Sequence, residues 1–222
     1  MIENFLAGKD IHRATAAEVN KVPMSQVTEK MRSAAKALNF GVIYGMSVFG
    51  FSQASGVDRD EAKKFIDAYM EKFSGIADYI RRTKEFAKKH KFVETELGRR
   101  RNIPEIDSPN FQVQNAAERM AINMPIQGLA ADIVKLAMIK IYKEIINEKE
   151  VHPVKSPQSG DTAGVFDGVK MVLQVHDEII LEVKEAEAEK VAKRVKEIME
   201  NVYKLKVPLI VDVKIGDNWG EI

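Results

Sequence analysis

Four side chains at a constant spacing are the strongest chemical signal in this sequence of 222 residues. Arg32, Lys36, Phe40 and Tyr44 recur at every fourth position, so on a helix each lies nearly above the last. The stripe would extend roughly 18 Å along the helix. Two cations can bind phosphate oxygens, and two rings can pack on a sugar or a base. A helix with this order of side chains can lie along a whole nucleotide, and an amphipathic helix with buried aromatic residues has the same spacing.

Two adjacent carboxylates, Asp177 and Glu178, form a second candidate site between the β-rich runs Val169–Val175 and Glu178–Val183. A tight hairpin would present both side chains together on a rigid support. A buried carboxylate is costly unless it binds a cation or is otherwise paired. Carboxylates of this kind hold the two metal ions, ~4 Å apart, that phosphoryl transfer uses. Taken by itself, the segment also fits an ordinary polar turn.

A long helical pattern from about Phe111 to Glu148 carries the amides of Asn123 and Gln127 four residues apart. Pro125 lies between them and is expected to kink or divide the helix, because proline lacks an N–H donor and clashes with the preceding turn. The simplest role for the two amides is hydrogen bonding around the proline.

The order of the predicted helices and strands that position these groups indicates an α+β protein. A mostly helical first part is followed by a small antiparallel sheet. Residues 149–168 contain two Pro and three Gly, which predicts a loop. The other predicted elements are a short helix at 2–8, helices at 25–44, 58–72, 75–90 and Lys184–Tyr203, a hairpin around Gly98, and a last strand at Leu209–Ile215.

Composition limits the class of protein. Hydrophobic residues make up 45% and charged residues 30% of the chain, which is ordinary for a globular protein. The absence of Cys excludes disulfides and Cys-based zinc sites. The first residues do not resemble a signal peptide, and no apolar stretch approaches the ~20 residues of a membrane span. We therefore expect a cytoplasmic protein with no membrane partner.

Positive charge is concentrated in residues 81–101, which hold nine Lys or Arg and three Glu, although the whole chain has a net charge of only +1. Such a segment can form a phosphate-binding face. A solvated helix followed by a basic turn is the interpretation that charge alone favours.

The order Arg32, Lys36, Phe40, Tyr44, Gly45 resembles motif B of family A (DNA polymerase I-like) DNA polymerases, on the mobile O helix of the fingers. That helix corresponds here to about residues 28–44. The resemblance implies that Arg32 and Lys36 bind the incoming dNTP through its triphosphate, with Lys36 also catalytic. It further implies that Phe40 packs on the sugar and that Tyr44 stacks near the template base.

Val175-His176-Asp177-Glu178 resembles motif C of the same family. The resemblance implies that Asp177 is a catalytic Mg²⁺ ligand and that Glu178 supports the metal site, so both are expected to be catalytic and metal-binding. It also implies that His176 contacts the primer end of the DNA. The completed enzyme is expected to use two Mg²⁺ ions.

Residues 117–132 resemble the family segment that precedes motif C. The resemblance implies that Arg119, Asn123 and Gln127 contact the DNA duplex in its minor groove. Neutral amides suit this groove, because its acceptors occupy similar positions for every base pair. Such contacts can test base-pair shape without reading sequence.

Two shorter matches complete the resemblance. Asp10-Ile11-His12 matches a family tripeptide whose histidine touches the triphosphate, which implies dNTP binding by His12. Gly98-Arg99-Arg100-Arg101 matches a basic turn, which implies that Arg99 and Arg100 bind DNA on its phosphate side.

The resemblance extends over essentially the whole chain and implies two parts. Residues 1–107 are expected to form the fingers subdomain, and 108–222 the C-terminal part of the palm. Residues 149–168 resemble an insertion, and no role is assigned to them.

One catalytic motif of the family does not occur in the sequence. Motif A, Asp-Tyr-Ser-Gln-x-Glu-x-Arg, supplies the other catalytic Asp, and neither it nor the thumb is present. The chain alone is therefore expected to be inactive or nearly so. It would act on primer-template DNA and dNTP together with an N-terminal polymerase portion, in the same protein or in a separate chain.

Two alternatives to a DNA polymerase stay open. A single-subunit RNA polymerase shares the Arg, Lys and Tyr-Gly of motif B and the His-Asp of motif C, but Phe40 and Glu178 favour DNA polymerases. A non-catalytic nucleic-acid-binding subunit could also keep these motifs.

Overall fold

The computed structural model of the protein describes residues 1–146, 166 and 168–221. Most of the predicted loop at 149–168 lies outside the described residues. The chain forms two compact units, Met1–Leu129 and Ala130–Ile222. The subdomain boundary implied by the resemblance, between residues 107 and 108, stays a prediction.

The first unit begins with six α-helices, and short polar side chains start four of them. Asp10, Thr28, Ser47 and Asp58 each accept a hydrogen bond from the backbone N–H three residues further on. Helices predicted at 2–8, 25–44, 58–72 and 75–90 are confirmed with slightly different ends, whereas α2 and α4 were not predicted. The helices are α1 (Ile2–Leu6), α2 (Ile11–Asn20), α3 (Glu29–Ile43), α4 (Val48–Ser55), α5 (Arg59–Lys72) and α6 (Ser74–His90).

Helices α2 to α5 enclose one hydrophobic cluster. Leu38 of α3, Phe51 of α4 and Tyr69 of α5 are almost completely buried in it. Burial raises the pKa of Tyr69 to about 12, which keeps its hydroxyl neutral. This packing fixes which face of α3 points away from the core.

The predicted hairpin is confirmed as antiparallel strands β1 (Phe92–Glu94) and β2 (Arg100–Asn102). Gly98, in the connecting turn, has φ of +82°, a conformation that glycine adopts without strain. A second hydrophobic cluster joins β1 to α6 and to the helix that follows.

Helix α7 (Phe111–Ile141) contains Pro125 and continues into a five-residue π-helix, Tyr142–Ile146. Pro125 does not divide the helix, so that part of the expectation is wrong. One turn before the proline, the Tyr79 hydroxyl donates to the Ile122 carbonyl at 2.7 Å. This side chain supplies a donor at the turn that the proline disturbs.

Among the described residues, Phe111–Ile146 is the one helix that is long and apolar enough to cross a membrane, by length and composition alone. The expectation that no apolar stretch approaches the length of a membrane span is therefore wrong for this helix. Core helices of soluble proteins meet the same criterion, and Ala117, Ala121 and Met124 of this helix are buried in the second cluster. The criterion alone does not assign the helix to a membrane.

The second unit contains the predicted hairpin and amphipathic helix, with strands β3 (Lys170–Val175) and β4 (Glu178–Glu182) antiparallel. Helix α8 (Ala188–Asn201) buries Val191, Val195 and Ile198 against the end of α7 and Val169. The apolar face of α8 therefore supports the motif C hairpin.

The predicted last strand at Leu209–Ile215 is wrong, because this segment has no regular secondary structure and joins neither sheet. Its alternating apolar residues favour an extended backbone, but a strand also needs a hydrogen-bonded neighbour. Side chains of α8 bind the backbone here instead. The Val211 N–H donates to Glu200 Oε1 at 3.1 Å, and the Val211 carbonyl accepts from Lys196 Nζ.

Candidate nucleotide and nucleic-acid site

Helix α3 has core residues on one face and the predicted nucleotide stripe on the other. Leu38 and Val42 are buried, whereas Phe40 is 50% exposed and Tyr44 is 47% exposed. Large apolar side chains on a helix ordinarily face the core, whereas these two rings, one turn apart, lie on a face of α3 that is open to solvent. The alternative in which the aromatic residues of the stripe are core residues is therefore wrong.

The two cations of the stripe differ in their partners. Arg32 Nε lies 2.7 Å from Asp10 Oδ2, while the other Asp10 oxygen caps α2 by accepting from the Arg13 N–H. The Arg13 N–H and the Arg32 guanidinium together lower the pKa of Asp10 from 3.8 to about 2. Lys36 is exposed, and no carboxylate of the described chain lies within ion-pair distance of it.

His12 lies on α2 beside the stripe. Its ring centroid is 5.7 Å from that of Phe40, with the rings tilted by 47°. Burial lowers the pKa of His12, Arg32 and Lys36 act in the same direction, and Asp10 opposes them. The structure thus brings His12 together with the cations and the first ring of the stripe.

The last residue of the stripe adjoins α7. Tyr44 caps α3, and Gly45 follows with φ of +65°. A Cβ atom on Gly45 would lie 2.7 Å from Cγ of Arg119. The glycine therefore lets the end of α3 approach Arg119, one of the predicted DNA contacts.

The hairpin turn and α7 line a surface cleft of about 460 Å³. Gly128 permits this close packing, since a Cβ there would lie 2.6 Å from Thr95 Cγ2. Arg100 donates to Glu94 at 2.8 Å and lies over the Phe92 ring, so its side chain is held within the hairpin. The cleft is lined by Arg99, Arg100, Arg101, Met124, Gln127 and Gly128.

Asn123, the other predicted minor-groove amide, is half-buried one turn before Gln127. Its Oδ1 atom is buried and has no hydrogen-bond partner in the part of the chain that the structure describes. A buried acceptor of this kind is unusual and costs free energy. The sequence predicted that Asn123 forms hydrogen bonds around Pro125, and its Oδ1 atom forms none with the described residues.

Most cations of the basic segment at 81–101 are already paired. Each pair neutralises a charge that a free phosphate-binding face would present, so the structure favours the solvated-helix interpretation. The pairs are Arg81 and Arg82 with Asp78, Arg81 with Glu85, Lys84 and Lys88 with Glu118, Lys91 with Asp107, and Arg100 with Glu94.

The motif C hairpin has a two-residue turn, His176-Asp177, closed by the pair Val175 and Glu178. His176 has φ of +52°, an uncommon conformation outside glycine. Gln174 Nε2 donates to the His176 carbonyl at 2.5 Å and fixes the turn. Residues held in such conformations are frequent at functional sites.

Asp177 and Glu178 are exposed, so the cost of burial that the sequence argument invoked does not apply to them. Their oxygens are the ligand type that Mg²⁺ prefers. Within residues 1–146, 166 and 168–221, no group of three or more His, Asp or Glu side chains could hold a metal ion. The pair fits part of a coordination shell, and a two-ion site needs further ligands.

Sequence reasoning gave no role to two residues that organise the site. Asp10 binds Arg32, and Asn39 contacts His12. Asn39 directly precedes Phe40 in the motif, but a contact between α2 and α3 cannot be read from spacing within one helix.

Residues 1–221 match the model of the family described as DNA polymerase family A, and the chain belongs to that family. The match includes every predicted site residue and the whole of α7. Helix α7 therefore lies within the part of the chain that the family model matches.

Curated relatives are DNA polymerases several times longer than this chain. It is 42% identical over 221 residues to DNA polymerase I of Pseudomonas aeruginosa, covering 100% of this chain and 22% of that protein. It is 42% identical over 219 residues to the thermostable DNA polymerase I of Thermus aquaticus, covering 99% of this chain and 24% of that protein. The chain thus spans less than a quarter of the length of these relatives.

A solved structure has the same fold, namely the POL domain of Pol1 from M. smegmatis in complex with DNA primer-template and dNTP. The TM-score is 0.77 and the sequence identity is 39%. The similarity covers 94% of this chain and 34% of that chain. It supports the α+β assignment made from the sequence.

Proposed function

We propose that this chain supplies the dNTP-binding surface and part of the catalytic centre for template-directed DNA synthesis. In this reaction a primer 3′ hydroxyl attacks the α-phosphate of a dNTP, and pyrophosphate leaves. The observation that carries the proposal is the exposed stripe of α3, two cations followed by two half-exposed rings. These rings lie outside the first hydrophobic cluster, where a ligand can reach them.

On this proposal the stripe is occupied along its length by one nucleotide. Arg32, Lys36 and His12 bind the triphosphate, and Lys36 stabilises the charge that develops on the leaving pyrophosphate. Phe40 packs on the sugar, and Tyr44 stacks near the template base. Closure of α3 over a correct pair would couple binding to assembly of the site.

DNA contacts are proposed on α7 and the first hairpin. Arg119, Asn123 and Gln127 contact the minor groove of the new duplex, and Arg99 and Arg100 lie towards its phosphates. The solved relative from M. smegmatis supports this partner class, since it is described as a complex with primer-template and dNTP. We propose 1–107 as fingers and 108–222 as the C-terminal part of the palm.

The catalytic carboxylates are proposed at the motif C turn. Asp177 would bind Mg²⁺, Glu178 would support it, and His176 would contact the primer end. Two bound Mg²⁺ ions would stabilise charge on the attacking and leaving oxygens. The chain's own contribution is to hold Asp177 and Glu178 at a turn fixed by Gln174.

We further propose that these 222 residues do not suffice for catalysis. Motif A does not occur in the sequence, and one pair of carboxylates cannot hold two ions. An N-terminal polymerase portion carrying the thumb and motif A, in the same protein or a separate chain, would complete the site.

Primer extension tests the proposal. The chain is assayed with primer-template, dNTPs and Mg²⁺, first alone and then mixed with a polymerase fragment that carries the thumb and motif A. Extension in the mixture alone supports a half-site completed by a partner. Extension by the chain alone contradicts the two-carboxylate argument, and extension with rNTPs in place of dNTPs indicates an RNA polymerase.

Carboxylate variants in the active mixture test the metal assignment. Asp177→Asn is expected to abolish extension, whereas Glu189→Gln, which removes an exposed carboxylate of the same unit, is expected to leave it unchanged. Near-normal extension with Asp177→Asn refutes the role of this residue as a metal ligand.

A further inference from the structure

A buried polar network joins α2 to α3 beside the proposed triphosphate site. Asn39 Nδ2 lies 3.1 Å from His12 Nδ1 and 3.1 Å from Thr15 Oγ1. Asn39 and Thr15 are both buried. The remaining polar atom of the amide, Asn39 Oδ1, is buried without a hydrogen-bond partner among the described residues. A buried amide with an unused acceptor is costly, so its presence needs a reason beyond packing.

The two hydrogens of the Asn39 amide determine which group donates in the hydrogen bond between Asn39 and His12. In the observed orientation both hydrogens of Asn39 Nδ2 have an acceptor, and one carbonyl oxygen goes unused. Reversing the amide would leave two buried N–H groups unpaired, and such orphans are rarer than unused carbonyls. Asn39 therefore donates and His12 Nδ1 accepts, so the ring hydrogen lies on Nε2.

Charged groups around the ring favour its neutral form. Arg32 and Lys36 on α3 face it, and Asp10 at the start of α2 opposes them with its carboxylate already bound to Arg32. Burial, which has the largest effect, also lowers the pKa of His12. A neutral ring with a fixed tautomer is a single hydrogen-bond donor, at Nε2.

We propose that Asn39 is a positioning residue that holds His12 as the neutral Nε2–H tautomer, with Nε2 ready to donate to a phosphate oxygen of the bound dNTP. The ligand in this inference rests on the proposed function, whereas the tautomer rests on the geometry alone. A neutral donor adds a hydrogen bond without adding a third cation beside Arg32 and Lys36.

The tautomer is measured without nucleotide by NMR of ¹⁵N-histidine-labelled protein, from the ring nitrogen shifts of His12 across a pH titration. We expect the Nε2–H form in the unsubstituted protein and a pKa below the ordinary 6.5. Asn39→Asp keeps the size of the side chain but offers only acceptors. This variant is expected to move the hydrogen to Nδ1 and raise the pKa of His12.

Two further variants separate positioning from packing. Asn39→Leu removes the donor and is expected to leave a mixture of tautomers. Asn20→Leu is the matched control, because Asn20 also donates its amide within α2, to the Ala16 carbonyl at 2.7 Å. An Nδ1–H ring in the unsubstituted protein, or the same shift in Asn20→Leu, overturns the inference.

Binding of dATP then tests the purpose of the tautomer. Asn39→Asp is expected to weaken dATP binding roughly three- to tenfold, about the effect of one lost hydrogen bond, with Asn20→Leu unchanged. Unchanged affinity in Asn39→Asp, when Lys36→Ala lowers it, overturns the positioning role while the nucleotide site stands. If the unsubstituted protein binds no dATP, the proposed function and the ligand of this inference fail together, whereas the NMR result still decides the tautomer.

Discussion

Lys36 is the cation of the stripe that no carboxylate neutralises within the described part of the chain, so its charge is available to a ligand. Lys36→Ala is expected to weaken dNTP binding about 10- to 100-fold, since hydrogen bonds to charged groups contribute about 1.5–3 kcal/mol. Titration calorimetry with dATP measures this. Lys64→Ala removes an exposed lysine of α5 and is expected to have no effect. Equal losses in the two variants would indicate non-specific charge attraction.

Two features require a glycine at position 45, namely its backbone conformation and the closeness of the Arg119 side chain. Gly45→Ala places a Cβ at φ of +65° and against Arg119 Cγ. The backbone conformation alone is expected to lower the free energy of unfolding by about 1–2 kcal/mol. Chemical denaturation measures the change. Gly75→Ala is the control, because nothing lies within 4 Å of its Cβ position and helical alanine is favourable. Equal destabilisation by both variants would contradict the argument.

The Asp10 carboxylate predicts an acid-dependent contribution to stability. Its pKa is lowered in the folded protein from 3.8 to about 2. The ionised carboxylate therefore contributes fully to the free energy of unfolding above the pKa of the unfolded chain, and this contribution is lost as the pH falls through the pKa of the folded protein. The difference in unfolding free energy between the protein and Asp10→Asn is therefore expected to be constant at neutral pH and to shrink below pH 3.8. A difference that does not change with pH would refute the assignment.

The residue pattern predicted the stripe but not which way it faces. Spacing along α3 is the same whether Phe40 is in the core or in solvent, and exposure depends on how α2, α4 and α5 pack. The motif C carboxylates illustrate the same limit, because the turn was predicted and their exposure was not. Asn39 was missed since its partners lie on another helix.

At the scale of elements, α7 depends on a side chain from α6. Tyr79 donates to the buried Ile122 carbonyl, and burial raises the pKa of Tyr79, so the hydroxyl keeps its proton at neutral pH. Tyr79→Phe is expected to destabilise the protein by about 1 kcal/mol, the usual net effect of one hydrogen bond. Thermal or urea unfolding measures it. Tyr44→Phe, which changes an exposed ring, is expected to stay within about 0.5 kcal/mol. No loss in Tyr79→Phe would mean that the freed carbonyl finds another donor.

Local signals accounted for most elements. Caps and periodicity together predicted α3 and α5, whereas periodicity alone predicted α6 and α8, which have no side-chain cap. Helix α2 also begins at a cap, Asp10, but its buried face consists largely of Ala and Thr, which do not stand out in the sequence as an apolar stripe. The segment Leu209–Ile215, wrongly predicted as a strand, has the alternating apolar residues of a strand but pairs with no neighbouring strand. Pairing depends on distant parts of the chain, so a local pattern cannot predict it.

For the whole molecule, the distribution of charge predicts a weak dependence of DNA binding on salt. At least six of the nine cations in residues 81–101 are in ion pairs. If these pairs persist on DNA, at most about three cations of the segment neutralise phosphates, and the segment is expected to contribute a slope of log K against log salt no steeper than about −3, compared with about −8 if all nine took part. Fluorescence anisotropy with primer-template duplex measures the slope. Arg82→Gln is expected to leave it unchanged, and a slope near about −8 would mean that DNA displaces the paired carboxylates.

On the proposed function, the ion pair between Asp10 and Arg32 prepares the guanidinium before a nucleotide arrives. Asp10 binds the Nε–H of Arg32, and the guanidinium has further N–H donors that a triphosphate oxygen could take. The carboxylate would hold the arginine side chain in place, so that less conformational entropy is lost on binding. It would also repel an arriving anion, so the pair would favour a ligand with several negative charges over one with a single charge.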